Sequence, residues 1–198
     1  ILGRARKGQE VYRSGAADKD IICVTGDLGG AYIGLQILER EKAVYLANPN
    51  MQPELEKYEY CVSRQLKPEA RMDIVYELAE LGIHPTSMID VSDGLASELF
   101  HLSRNSHVGV RIFEDKIPID QEAYTTAVEF KLDPFTAALN GGEDYELLFT
   151  IRQADFEKIK NHQDIHFIGY IHADPNENVL ITKNGNVVPL QAQGWTHY

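Results

Sequence analysis

Cysteine and tryptophan are scarce in this chain: two Cys and one Trp among 198 residues. Cys23 and Cys61 do not form a metal pair. Cys23 lies in the apolar run 21–24 and reads as a buried thiol. Cys61 lies in a helical stretch. Nothing supports a disulfide, so a reducing cytoplasm is the expected compartment. No apolar run approaches the roughly 18 residues of a membrane span, and no membrane role is expected. Basic residues are also in short supply, with 19 Lys and Arg against 30 Asp and Glu and a formal net charge of −11. That argues against nucleic acid, which is bound by Lys and Arg meeting phosphate. Nucleotides stay open, because a metal ion can mediate between acidic side chains and phosphates. No Gly-Lys-Ser/Thr follows the glycine turn at 26–30, so there is no P-loop.

What is present is a globular composition, 43% apolar and 25% charged, in a chain long enough for one sizeable core. The most informative stretch is Asp90-Val91-Ser92-Asp93-Gly94-Leu95. Two carboxylates and a hydroxyl crowd the junction between a short apolar run and a helical pattern of Leu95, Leu99 and Leu102. Mg²⁺ takes few carboxylates, completing its shell with phosphate oxygens and water, and a helix N-terminus suits phosphate. Ser92 or Asp93 would serve equally as an ordinary helix N-cap. An EF-hand is excluded: its Gly and Glu places, counted from Asp90, hold Leu95 and His101.

A second cluster, Gly141-Gly142-Glu143-Asp144-Tyr145-Glu146, sets three acids behind two glycines and directly against the buried strand Leu147–Ile151. An ordinary solvated turn is the plain alternative to a site. The glycine turn at 26–30, between a strand and a helix, is either a phosphate cradle or a βα turn packed closely against a helix.

These two motifs, with the terminal Gly194-Trp195-Thr196-His197-Tyr198, Arg13-Ser14-Gly15-Ala16 and Val24-Thr25-Gly26-Asp27, resemble the thiamine-monophosphate kinases. The resemblance covers nearly the whole chain and implies Mg²⁺-assisted phosphoryl transfer from ATP to thiamine monophosphate. It implies that Asp90 and Asp93 are metal ligands. Arg13 and Ser92 are then ATP contacts, and Glu143 and Trp195 substrate contacts. Trp195 suits a cationic aromatic ligand, since indole is the best cation–π face. Without the resemblance, Arg13 reads equally as a surface arginine, and Trp195 as a tail anchor packed on the core. No residue is assigned as a general base, because a phosphate acceptor is already largely ionised, and His197 reads as a surface histidine. His101 and His107 form no convincing metal set.

Members of that family are longer. The chain opens on Ile1-Leu2-Gly3-Arg4 without an initiator Met, so the resemblance implies a C-terminal portion whose N-terminal ATP- and Mg-binding domain is absent. It also implies a homodimer. Related ATP-using synthetases of the aminoimidazole ribonucleotide synthetase-like superfamily, or a non-catalytic module, are the alternatives.

Residues 1–19 lack a period and read as an arm or interdomain segment, and 20–198 as one domain. The patterns predict strands at 21–25, 87–91, 108–113, 147–151, 166–171 and 179–182. Helices are expected from about 30, at 54–65, from Pro68 to Gly82, after Asp93, at 119–131 and 134–140, and near 154–161. The tail from Val187 reads as irregular. Alternating strands and helices give a layered α/β or α+β class. The resemblance adds a mixed sheet flanked by helices, distantly like the ferredoxin fold.

Overall fold

The computed structural model describes residues 7–192. Its order is β1 (Ile21–Thr25), α1 (Gly30–Ala47), α2 (Glu59–Leu66), α3 (Met72–Glu80), β2 (Ser87–Asp90), α4 (Leu95–Ser106) and β3 (Gly109–Phe113). There follow α5 (Gln121–Glu129), α6 (Pro134–Asn140), β4 (Leu147–Ile151), α7 (Phe156–Ile159), β5 (Ile165–His172), β6 (Asn178–Ile181) and β7 (Val187–Pro189). The seven strands form one sheet in the order β2-β4-β1-β5-β3-β6-β7. All neighbours are antiparallel except β3 and β6, which run parallel. The class is therefore α/β with a mixed sheet flanked by helices.

The strand period of two sorts the core. Ile22, Val24, Ile89 and Leu148 face one side and pack against Leu95, Leu99 and Leu102 of α4. Cys23, Phe149 and Ile151 face the other, against Ile74 and Leu78 of α3 and Ile159 of α7. A third cluster joins α1, α2, α5 and α6 through Ile33, Ile37, Cys61, Ala127 and Ala137. Both cysteines are free and buried. Burial pushes the Cys61 thiol up to about 11, so it stays protonated and inert.

Two local expectations change. Pro68 does not open a helix: α3 begins at Met72, and Pro68, Glu69 and Ala70 are exposed, so a further turn there would bury nothing. The tail is not wholly irregular either, since Val187–Pro189 pairs with β6. The segment before β1 is laid along the free edge of β2. Met88 N–H donates to the Tyr12 carbonyl at 2.9 Å, and the Gly15 and Ala16 N–H groups donate to Ser106 Oγ.

One end of the sheet gathers everything that follows. Asp90, the last residue of β2, lies opposite Leu147, the first of β4. Thr25 closes β1 beside it, its hydroxyl accepting from Leu147 N–H at 2.8 Å.

Candidate active site

The Asp90–Asp93 turn and the loop before β4 are bound together backbone to backbone. Glu143 N–H donates to the Ser92 carbonyl at 2.8 Å, Tyr145 N–H to the Val91 carbonyl at 2.9 Å, and Val91 N–H to the Glu146 carbonyl at 2.8 Å. The close approach needs Gly142: its φ is +70°, and a Cβ there would stand 2.5 Å from the Ser92 carbonyl oxygen. This zip places Asp90, Ser92, Asp93 and Glu143 on one rim. Asp90, Asp93 and Glu143 are exposed and Ser92 is half-buried.

Neither Ser92 nor Asp93 caps α4. The N-cap is Gly94, with no side-chain bond to the helix. Instead Glu98, 2% exposed, reaches back from the first turn and accepts from Ser92 Oγ at 3.3 Å and Asp93 N–H at 3.2 Å. Burial raises the pKa of Glu98. Asp90 and Asp93 are thereby left with no helix to cap.

The second cluster divides by direction. Asp144 and Glu146 turn inward, each 2% exposed; Glu143 and Tyr145 turn outward. Asp144 accepts from Gly29 N–H at 2.8 Å and Ala31 N–H at 3.3 Å, so it occupies the start of α1. The glycine turn at 26–30 is a packed βα turn: a Cβ on Gly29 would stand 2.9 Å from the Ala138 backbone nitrogen, and the Gly26, Leu28 and Gly29 N–H groups all have protein acceptors. Burial pushes the Asp144 carboxyl up to about 7.

Glu146 is held on three sides. It accepts from Thr25 Oγ1 at 2.5 Å, Arg64 Nη1 at 3.0 Å and Arg71 Nη1 at 2.8 Å. Arg64 also donates to the Asp27 carbonyl, and Tyr60 Oη donates to Asp27 Oδ2 at 2.6 Å. Asp27 Oδ1 is buried without a partner among the described residues, and burial raises the pKa of this carboxyl. A polar hollow of about 310 Å³ opens beside Arg64, Arg71 and Glu146. A larger one, about 570 Å³, lies beside Leu55 and the α2 residues Val62 and Leu66, among lining residues that belong to neither motif.

Arg13 is exposed beside β2. Among the described residues it makes no hydrogen bond or ion pair with the rim, although its neighbour Tyr12 pairs with Met88. Trp195 and His197 lie outside the described residues. The sequence reading missed Glu98, Arg64, Arg71 and the inward roles of Asp144 and Glu146. Glu98 carried a signal, a carboxylate in the first turn of a helix whose cap was in question. The arginines carried none, because their partner lies 82 and 75 residues away. Among the described residues no group of three or more His, Cys, Asp or Glu side chains is placed to hold a metal.

The family model for AIR synthase related protein, C-terminal domain, matches residues 19–181. The chain belongs to that family. Over its whole length it is 30% identical to the thiamine-monophosphate kinase of Bacillus subtilis, of which it covers 58%. It is likewise 36% identical to that of Methanospirillum hungatei, of which it covers 56%. It superposes on the solved structure of AaThiL complexed with AMPPCP and TMP with a TM-score of 0.75. The two are 29% identical over 95% of this chain and 54% of the other. The chain thus spans a little over half the length of the curated relatives it matches. No helix among the described residues is long and apolar enough to cross a membrane.

Proposed function

We propose that this chain is the C-terminal portion of a thiamine-monophosphate kinase. The complete protein would transfer the γ-phosphoryl group of ATP directly to the phosphate of thiamine monophosphate. The bond between the β-phosphate and the γ-phosphorus breaks and ADP leaves. A new bond forms from an acceptor phosphate oxygen to that phosphorus, giving thiamine diphosphate. The observation that carries this reading is the backbone zip between 91–92 and 143–146. It brings the two acids proposed for the metal and the acid proposed for the substrate onto one rim.

The donor set suits Mg²⁺. Asp90 and Asp93 offer hard, exposed oxygens, too few for a closed protein cage and right for an ion sharing phosphate oxygens and water. Bound there, Mg²⁺ would offset the charge of two phosphates brought together. The chain's own residues do the rest. Ser92, pinned by Glu98, presents its oxygen toward ATP. Arg13 supplies a guanidinium shaped for phosphate. Glu143 accepts from the aminopyrimidine and offsets the thiazolium charge, and Trp195 stacks on it. A phosphate monoester needs no strong base, so none is assigned. An N-terminal ATP- and Mg-binding domain and a homodimeric assembly belong to the same proposal.

The test is Asp90→Asn in the complete protein. The acid is exposed at a strand end, so circular dichroism should be unchanged. Turnover should fall by about 10² or more as electrostatic stabilisation of the transfer is lost. Near-normal kcat at low Mg²⁺ would remove Asp90 from the site.

A further inference from the structure

We propose that Tyr145 is a positioning residue for Glu143, fixing which carboxylate oxygen that side chain offers to the substrate. The inference rests on the substrate-binding reading of Glu143 given above. Its starting point is an outlier of the backbone. Tyr145 has φ +52° and Glu143 has φ +64°, a region that glycine enters freely and bulky side chains rarely do. A strained conformation persists only where the surroundings over-determine it. Here they do so from both sides. Three backbone hydrogen bonds tie 143–146 to 91–92. The two inward acids are fixed as well, Asp144 by the start of α1 and Glu146 by Thr25, Arg64 and Arg71.

Held this way, the outward pair meets. Tyr145 Oη donates to Glu143 Oε2 at 3.1 Å. Glu143 Oε1 takes no hydrogen bond from any described residue, and Glu143 itself is exposed. One oxygen is therefore engaged and the other left for an amino N–H of the ligand. A free glutamate would have to surrender its rotamers on binding, and this one has already been ordered. The hydroxyl also stands among three acids, Glu143, Asp90 and Asp93. Of these three acids it is Glu143 to which the hydroxyl donates. A phenylalanine would keep the ring and the backbone bonds and lose only this hydrogen bond.

A double-mutant cycle in the complete protein tests the assignment, with Tyr145→Phe, Glu143→Ala and the pair. KM for thiamine monophosphate, KM for ATP and the urea midpoint are read for each. Tyr145→Phe should raise KM for thiamine monophosphate about 3- to 10-fold, the scale of one lost hydrogen bond, and leave KM for ATP unchanged. In the Glu143→Ala background the same substitution should change nothing further. If Glu143→Ala raises KM while Tyr145→Phe is silent, or adds its full effect in that background, the positioning role is wrong and the reading of Glu143 stands. If Glu143→Ala itself leaves KM unaltered, that reading falls and takes this inference with it. Should Tyr145→Phe loosen the fold, the midpoint drops in both backgrounds. The comparison within the cycle then still isolates the coupling.

Discussion

At the scale of the residue, Asp144 shows what burial does to an acid. Its ordinary pKa of 3.8 is moved to about 7, chiefly because the carboxylate is cut off from water, despite two N–H donors and the nearby Arg64. Between those values the folded chain holds a proton that the unfolded chain has released. Stability therefore falls as pH rises through this window, by linkage. Asp144→Asn removes the titration and keeps an acceptor oxygen for Gly29. The urea midpoint of the native chain relative to Asp144→Asn should decline from pH 3.8 to about 7 and then level off. A relative midpoint that rises over that range would show that the carboxylate is stabilised in its charged form. This residue also marks where sequence reading stops. The run of 141–146 was legible as a possible site, yet all three acids looked alike. Only Glu143 faces out; the direction of Asp144 and Glu146 is set by Gly29, Arg64 and Arg71, which no local pattern connects to them.

Elements were more legible than side-chain roles. The strands Ile21–Thr25 and Leu147–Ile151 and the helix Pro134–Asn140 appear with the bounds their patterns predict. The apolar runs are unbroken and their ends are sharp; α6 starts with Asp133 accepting from Thr136 N–H at 2.6 Å and Pro134 just inside. Packing of α1 on α2 was not visible, because it depends on a residue with no side chain. A Cβ on Gly34 would stand 2.0 Å from the Cys61 carbonyl oxygen. Alanine gains about 1 kcal/mol of helix propensity over glycine, but a backbone atom cannot move aside as a side chain can. Overpacking of this kind costs about 1–3 kcal/mol, so Gly34→Ala should lower the urea midpoint and speed labelling of Cys61 by a thiol reagent. A variant as stable as the parent, with Cys61 still protected, would show that the two helices yield freely.

For the whole molecule, the proposed chemistry needs more than this chain displays. On the reading proposed here, two exposed carboxylates would supply only part of a metal site, and the curated relatives are nearly twice as long. The 198-residue chain should make no useful thiamine diphosphate alone, and gain activity when mixed with a separately produced N-terminal domain. Robust product formation by a preparation whose mass matches 198 residues would contradict this. The sheet that carries the rim has a further property. On one side β2 is met by the backbone of Tyr12. On the other β7 is only three residues long and ends on Pro189, which has no N–H to offer. An open strand edge invites another chain to add itself, and neither border here gives it a full row of donors. Combined with a net charge of −11, these borders should make the folded domain resist edge-to-edge aggregation, so crowding during synthesis should threaten it mainly before residues 7–16 have docked.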